Sequence, residues 1–367
     1  MTYINELDTP CVIIDLNKLN NNIKDMQRFA SKNKVTLRPM IKTHKMPQIA
    51  NMQIKNGAKG ITCAKISEAE VMAKAGIKDI FIAYEIVTED KIKRLLNLSK
   101  KVKLSVAVDS KYGVDMLNKY FKKANNNIDV LIEINTGLNR CGLNNLDEIY
   151  SLAEHIMNSS NVYIKGIFTH AGNVYGAKDK NEVNDIGKYE GNFIVKIKEY
   201  LETKGIKVDT VSTGSTPTAK ISGKIKGVNE IRPGNYVFYD AIQHSLGVID
   251  IGSCSLSVLS TVISKPTEKR AVIDAGSKSL GLDKGAHGIS KVKGYGIIKK
   301  FSDITIERLS EEHGILSLKN SKIKIGDKVE IVPNHACTVV NLFDYAYLTD
   351  GEKILDIFRI EARGMVK

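Results

Sequence analysis

The first two-thirds of the sequence alternate between short apolar runs and longer amphipathic segments. Eight apolar runs are interpreted as buried strands, and segments with helical spacing lie between them. Strands that are apolar on both faces and separated by helices form a parallel sheet covered on both sides. Eight such strand–helix units close into a (β/α)8, or TIM, barrel of the α/β class. The runs are VTLRPMI, GITCA, DIFIAY, KLSVAV, IDVLIEIN, VYIKGIFTH, VDTVSTG and residues 230–232.

A second region begins near residue 240, where helical spacing ends. The β-rich runs that follow are separated by turn residues and predict a second, mostly antiparallel β domain. We therefore expect a barrel over residues 1–238 and a β domain over residues 239–367. The early run CVIID precedes the first helix and fits either domain. A Rossmann-type open sheet is disfavoured because no Gly-rich turn follows the first strand.

The net charge of +13, from 54 Lys+Arg and 41 Asp+Glu, first suggests a nucleic-acid partner. Only nine of those 54 residues are arginine, however, and the lysines are spread along the whole chain. Base recognition requires clustered basic residues and favours arginine, so we interpret the charge as solvated surface lysine and expect no nucleic-acid partner.

The expected location is the cytoplasm, with no membrane association. No apolar run approaches the roughly 20 residues of a membrane span, and the first residues lack the pattern of a signal peptide. The five cysteines are widely separated and form no CxxC motif, which indicates reduced thiols.

Candidate functional residues follow the predicted strands, because functional groups of such barrels lie at the C-terminal strand ends. Small-residue loops offer backbone N–H groups to a phosphate, and a lysine in a confined cationic site becomes a Schiff-base nucleophile. Each signal is weak alone, but their order along one barrel favours an anionic aromatic cofactor that carries an aldehyde. In chain order the residues are Lys42, Arg140, His170, the loop Gly214-Ser215-Thr216, and Arg232-Pro233-Gly234-Asn235-Tyr236.

With these motifs the sequence resembles the pyridoxal-phosphate (PLP) barrel enzymes of the alanine-racemase-like fold (fold type III), specifically the D-threonine aldolase / D-serine dehydratase family. The resemblance covers nearly the whole chain. Its motifs are specific together, although each alone is not. They are LDTP at 7–10, RPMIKTHK at 38–45, THAGNVY at 169–175, RPGNY at 232–236, DAGSK at 274–278, LSEEHG at 309–314 and PNHAC at 333–337.

The resemblance implies a role for each matching residue. Lys42 carries PLP as a Schiff base, with Lys45 as a less favoured competitor. The implied catalytic residues are Lys42, His44 and His170. Arg140 approaches the phenolic oxygen of PLP, His170 lies against its ring, and Arg232 corresponds to the arginine that faces the pyridine nitrogen in the racemases. Further cofactor-binding residues are Tyr175, Gly214, Ser215, Thr216, Gly234, Asn235 and Tyr236. Met40 stands where the family commonly has histidine.

A histidine and a cysteine two residues apart suggest a metal site. His335 and Cys337 follow an apolar run that reads as a strand end, where the period of two turns both side chains to one side. Histidine plus thiolate favours Zn²⁺ over Mn²⁺ or Mg²⁺. The resemblance implies a metal here beside the cofactor. In that family His-x-Asp accompanies manganese in aldolases and His-x-Cys accompanies zinc in dehydratases, so Cys337 favours zinc and, less firmly, dehydration.

The function we expect is that of a PLP- and metal-dependent lyase acting on D-3-hydroxy amino acids. A dehydratase would form a 2-keto acid and ammonia, whereas an aldolase would form glycine and an aldehyde. One alternative is an amino-acid racemase, which needs a second base and leaves His335 and Cys337 without a role. A non-catalytic PLP-binding protein is the other, and the second domain argues against it. The resemblance also implies a homodimer.

Overall fold

Residues 2–288 and 292–367 are described by a computed structural model, and they form two sheets flanked by helices. The strands are β1 Cys11–Asp15, β2 Thr36–Leu37, β3 Ile61–Cys63, β4 Asp79–Glu85, β5 Lys103–Val108, β6 Ile128–Ile134, β7 Val162–Thr169, β8 Thr210–Thr213, β9 Glu230–Ile231, β10 Leu256–Thr267, β11 Arg270–Ile273, β12 Ile297–Ile298, β13 Ile304–Leu309, β14 Gly314–Leu318, β15 Lys328–Val332, β16 Tyr345–Thr349 and β17 Ile354–Arg359. The helices are α1 Leu16–Lys32, α2 Pro47–Lys55, α3 Ile66–Lys74, α4 Glu89–Ser99, α5 Lys111–Lys123, α6 Leu146–Met157, α7 Lys180–Thr203, α8 Thr216–Ser222, α9 Ala241–Ser245, α10 Ser277–Leu280 and α11 Ala336–Val340.

The first sheet is the predicted barrel. Its eight strands are parallel and run in the order β2-β9-β8-β7-β6-β5-β4-β3. A parallel bridge between Met40 and Thr62 joins the two ends of this order. There the backbone N–H of Thr62 donates to the carbonyl of Pro39 at 2.7 Å. All eight predicted strands are present, and the fold class is confirmed.

Alternation along the barrel strands divides their side chains between two cores. On β4, Ile80 and Ile82 pack outward into the large core shared with the surrounding helices. Phe81, between them, points into the barrel and meets Phe168 of β7 edge to face, with ring centroids 5.1 Å apart. Both faces of the strands are therefore apolar, which is why they appear in the sequence as continuous apolar runs.

The longer helices each bury one apolar stripe, and α1, α5, α6 and α7 begin at polar side-chain caps. In α1 the buried residues Leu19, Ile23, Met26 and Ala30 follow helical spacing, and the Asp15 carboxylate accepts from the Lys18 N–H at 2.9 Å. No helix within the described ranges is long and apolar enough to cross a membrane. All five cysteines are free thiols.

The second sheet is mostly antiparallel and includes the first strand of the chain. Its main path is β13-β14-β11-β10-β1-β16-β17, and β15 pairs with β10 and β12. β1 pairs antiparallel with β10 and parallel with β16. The run CVIID therefore joins the second sheet, because two neighbouring strands there cover it on both edges. The predicted barrel range 1–238 thus contains a strand of the other sheet, and the boundary at residue 238 stays a prediction.

Candidate active site

Lys42 lies just after β2, in the 3-10 turn Ile41–Thr43, at the C-terminal end of the barrel. Burial lowers the pKa of its amine; the Cys337 thiolate opposes this shift and the Arg140 charge adds to it. Lys45, the competitor, instead forms an ion pair with Glu68 at 3.0 Å. The geometry therefore favours Lys42 as the reactive amine.

His170 follows β7 and has one ring nitrogen held and the other unpaired. Its Nδ1 lies 2.7 Å from the carbonyl of Gly214, so Nδ1–H donates and the ring is fixed in that tautomer. Nε2 is buried and has no hydrogen-bond partner in the described part of the chain. Burial and the charges of Lys42 and Arg140 hold the pKa of His170 well below its usual value, so the ring is neutral.

Arg232 follows β9 and reaches into the barrel. Its two terminal nitrogens donate at 2.6 Å to the Ser212 hydroxyl and to the carbonyl of Thr169. The guanidinium lies 5.0 Å from the ring centroid of Phe168. Its Nε is buried and finds no acceptor among the described residues. The arginine is thus rigidly held with one donor left over.

The two small-residue loops come close to the turn that carries Lys42. A Cβ atom on Gly234 would lie 3.0 Å from both the Met40 carbonyl and the Thr43 hydroxyl. A Cβ atom on Gly214 would lie 3.0 Å from the Arg232 nitrogen. The Tyr236 N–H donates to the Thr216 hydroxyl at 3.2 Å and so ties the loops together. Only glycine permits these close approaches.

Glu190 of α7 supports the small-residue loop at Gly214, and the sequence analysis did not predict this role. Its buried carboxylate accepts from the Gly214 N–H at 3.0 Å and from the Thr218 hydroxyl at 2.7 Å. Burial raises its pKa, and these hydrogen bonds oppose the shift. The signal was present in the sequence: Glu190 occupies an apolar position of the helix, in line with Val183, Gly187, Ile194, Ile197 and Leu201.

His335 and Cys337 come together, but not on a strand. β15 ends at Val332, His335 caps α11, and Cys337 lies in the first turn of that helix. The period-two argument was therefore wrong, because Pro333 and Asn334 turn the chain before the pair. Asp240 fixes the new direction by accepting from the Ala336 N–H at 3.0 Å. The two side chains nevertheless lie close enough for each to shift the pKa of the other.

Each side chain of the pair stabilises the charged form of the other, a thiolate beside an imidazolium, and a metal ion would take the place of the imidazolium proton. Burial raises the pKa of Cys337, but the charge of His335 and hydrogen bonds from His335 and Thr43 outweigh it and lower the pKa below its usual value. The Thr43 hydroxyl lies 3.2 Å from the sulfur. Burial alone would lower the pKa of His335. Cys337 and Asp240 outweigh this effect and raise the pKa to about 9. Its Nδ1 has no partner in the described part of the chain.

Comparison with known proteins identifies the family. Residues 14–241 match the family described as "Alanine racemase, N-terminal domain", and residues 255–349 match "Putative serine dehydratase domain". A D-threonine aldolase from Arthrobacter sp. is 31% identical, covering 98% of this chain and 93% of its own length. The chain belongs to the D-threonine aldolase / D-serine dehydratase family.

Solved structures of the family superpose closely on this chain. D-threonine aldolase from Filomicrobium marinum is 30% identical with a TM-score of 0.93, covering 100% of this chain and 98% of its own. D-threo-3-hydroxyaspartate dehydratase from Delftia sp. is 28% identical with a TM-score of 0.91, covering 98% and 99%. Variants of that dehydratase replace a histidine, and a cysteine two positions further along, by alanine; the cysteine variant is in a metal-free form.

His44 and Tyr236, which the family resemblance places in the site, are joined by a buried hydrogen-bond network. His44 accepts from the Met46 N–H at 3.1 Å through Nδ1, and its Nε2 lies 3.3 Å from the Gln53 side-chain oxygen. Gln53 in turn donates to the Tyr236 hydroxyl at 2.9 Å. Burial lowers the pKa of His44 to about 3. Both ring nitrogens are paired within the protein, so the geometry favours a structural role for His44 over a catalytic one.

His287 is a further residue of the site that no sequence pattern indicated, because it lies in a loop without periodicity. Its ring is 5.5 Å from that of His170 and 5.3 Å from that of Tyr175, centroid to centroid. Burial and the charges of Lys42 and Arg140 lower its pKa to about 4. The rings of His170, Tyr175 and His287 thus line one wall of the site beside Lys42.

Proposed function

We propose that the protein is a PLP- and metal-dependent lyase that acts on D-3-hydroxy amino acids. The proposal is carried by the 3.2 Å contact between Cys337 and Thr43, the residue next to Lys42. This contact makes the cofactor lysine and the metal-binding pair parts of one site, as chemistry at two adjacent carbons requires. The aldolase and dehydratase relatives described above support it.

The residues present fit PLP. Lys42 would attach it, Arg232 and Arg140 would supply cationic donors, and His170 would lie against the ring with its unpaired Nε2. The phosphate would lie at Gly214-Ser215-Thr216 and Gly234-Asn235, the two small-residue loops that approach the turn carrying Lys42 and the backbone of Arg232. Bound PLP supplies an electron sink for the bond broken at Cα.

The residues also fit a divalent metal on His335 and Cys337. Zinc is favoured because a thiolate and an imidazole are borderline-soft ligands; manganese and magnesium are the alternatives. The unpaired Nδ1 of His335 and the lowered pKa of Cys337 support this. Two protein ligands leave positions for water and for the substrate hydroxyl, whose departure a Lewis acid assists.

In the proposed dehydration, Lys42 and Arg232 have separate roles. Neutral Lys42 removes the α-proton and holds it on Nζ. Arg232, which does not release a proton at working pH, keeps a positive donor beside the ring nitrogen. The β-hydroxyl would leave as water by taking up this proton from Lys42 Nζ, and the released enamine would tautomerise and hydrolyse to a 2-keto acid and ammonia. Cys337 favours this outcome over aldol cleavage, as does the His-x-Cys spacing shared with the Delftia dehydratase variants.

The decisive experiment incubates the purified protein with D-serine and with D-threonine, before and after a chelator. Keto acid from D-serine that disappears with the chelator is the expected result, whereas glycine from D-threonine would assign the aldolase reaction. Interconversion of enantiomers without cleavage would identify a racemase. Lys42→Ala should remove the visible absorbance of bound PLP, and the exposed Lys55→Ala should retain it. Absence of that absorbance from the unmodified chain would contradict the proposal.

The homodimer and the cytoplasmic location are part of the same proposal. Analytical ultracentrifugation of the purified chain distinguishes a dimer from a monomer directly. The partner that the proposal requires is a small D-amino acid.

A further inference from the structure

Two buried carboxyl groups lie beside the arginine assigned to the cofactor. Glu133, near the end of β6, is 5% exposed, and its Oε1 lies 3.8 Å from Arg140 Nη2. Burial and the neighbouring Glu85, the last residue of β4, together raise the pKa of Glu133 to about 9. At neutral pH the two carboxyl groups therefore share one proton, and the pair carries one negative charge. That charge faces the arginine.

The backbone that carries Arg140 is already fixed by the fold. Its loop returns to β6, where the Leu143 N–H donates to the Glu133 carbonyl at 3.0 Å. The Gly142 N–H donates to the Asp109 carboxylate at 3.2 Å. Gly142 has φ of +89°, and a Cβ atom there would lie 2.9 Å from the Glu133 side chain. The Arg140 side chain itself is 47% exposed, and within the described residues it forms an ion pair with Glu133.

The alternative is that the groups beside Glu133 bind a metal ion. Ligand atoms of Glu85, Asp109 and Cys141 lie within 4.8 Å of one another. Burial raises the pKa of Cys141 to about 11, however, and nearby carboxylates add to the shift, so its thiol stays protonated. The proton that Glu85 shares with Glu133 makes its carboxyl group a weaker metal ligand. We therefore assign these groups to Arg140 rather than to a cation.

We propose that Glu133 is a positioning residue that holds the Arg140 guanidinium toward the cofactor, with Glu85 sharing its proton. Glu133 does not touch PLP; it restricts the arginine that does. The proposal rests on the PLP site of the proposed function but not on which bond the enzyme breaks. The charged and titratable groups around Glu133 are Glu85 of β4, Asp109 after β5, Arg140 and Cys141 of the returning loop, and Arg232 after β9.

The test measures PLP binding to the apoprotein by visible absorbance in Glu133→Gln, Arg140→Gln and the double variant. Each single change should raise the dissociation constant about tenfold, and the double variant should match the weaker single one, because both changes remove the same interaction. The pH midpoint of the absorbance change of bound PLP should also shift in the same direction in both single variants. Glu70→Gln, which breaks the Glu70–Arg94 ion pair on the barrel exterior, should leave binding unchanged.

Unchanged PLP binding in Glu133→Gln would overturn the proposal, and so would effects of the two changes that multiply in the double variant. If Glu133→Gln does not fold, Glu133→Asp replaces it; the shorter carboxylate withdraws from Arg140, and the same coupling to Arg140→Gln is expected. A chain with coupled PLP binding that converts no hydroxy amino acid would contradict the lyase assignment alone. A wrong role for Glu133 and a wrong lyase assignment therefore give different experimental results.

Discussion

At the scale of single residues, the proposed function makes Cys337 the residue that sets the metal preference. Its thiolate is a soft ligand, whereas a carboxylate in its place is a hard one. Cys337→Asp should therefore lower zinc retention and allow manganese to restore activity, measured by metal analysis after reconstitution with each ion. Cys141→Ser, which leaves the His335/Cys337 pair intact, is the control. Equal zinc retention in Cys337→Asp and the unmodified chain would contradict the assignment.

His44 gives a stability prediction with a defined sign. Its folded pKa of about 3 lies below the unfolded value of about 6.5, so the unfolded chain binds the extra proton between these values. His44 therefore destabilises the fold increasingly as the pH falls through this range. Between pH 7 and pH 5 the effect is about 2 kcal/mol.

The comparison with His44→Asn isolates this effect from the other titrating groups. Asparagine keeps an acceptor for the Met46 N–H but does not titrate, so urea unfolding should show the variant losing about 2 kcal/mol less than the unmodified chain from pH 7 to pH 5. An equal loss in both proteins would mean that His44 is not buried in its neutral form.

Residues at strand ends could be predicted from position alone, but their partners could not. Lys42, Arg140, His170 and Arg232 were identified because the barrel brings the ends of its parallel strands to one face. The role of Glu190 was not predicted because it depends on contacts with Gly214 and Thr218, which are distant in sequence. The choice between Lys42 and Lys45 likewise depends on an ion pair with Glu68 that no local pattern records.

At the scale of elements, α7 holds the first small-residue loop through one buried carboxylate. Glu190→Gln replaces the carboxylate by a neutral amide, so the Gly214 N–H keeps only an uncharged acceptor and the Thr218 hydroxyl must turn to accept from the amide. The free energy of unfolding should fall by about 1–3 kcal/mol, and PLP binding should weaken.

Glu202→Gln on the same helix is the matched control for this prediction. Glu202 pairs with Lys198 at 2.6 Å at the partly exposed end of α7, where such a pair contributes at most about 0.5 kcal/mol. Equal losses of stability in the two variants, by chemical denaturation, would show that the Glu190 contacts do not matter.

Element type followed from the sequence more reliably than element length. All eight barrel strands were predicted, yet β2 and β9 span only Thr36–Leu37 and Glu230–Ile231. After β2 the chain pairs only through the bridge from Met40 to Thr62, and Ile41 is buried in the turn that carries Lys42. After β9, Tyr236 and Val237 are likewise buried in a turn. The segment after β15 shows the same limit: its apolar residues belong to the short helix α11, which Pro333 separates from the strand.

At the scale of the whole molecule, the chain crosses between the two sheets more than once. β1 belongs to the second sheet, where Val12 and Ile14 pair with Val258 and Leu256 of β10. α1 follows directly and packs its apolar stripe into the same core. Sequence alone left the place of CVIID open, because apolar strands are suited to either sheet and the pairing partners lie more than 200 residues away.

This crossing predicts that the barrel does not fold alone. A chain that ends at residue 238 keeps β1 but loses β10 and β16, the two strands that pair with it. The apolar residues of β1 and of α1 then face water, and Lys42 loses its neighbour Cys337. We expect such a chain to aggregate or to unfold without cooperativity.

Circular dichroism with urea titration measures this directly, and PLP absorbance reports the site. A chain of residues 16–238 is the informative control. It lacks the unpaired strand, so it should aggregate less than the longer fragment, but it still exposes the apolar stripe of α1 and should not bind PLP as the full chain does. Cooperative unfolding of residues 1–238 with normal PLP binding would show that the barrel is autonomous and that the shared core contributes little.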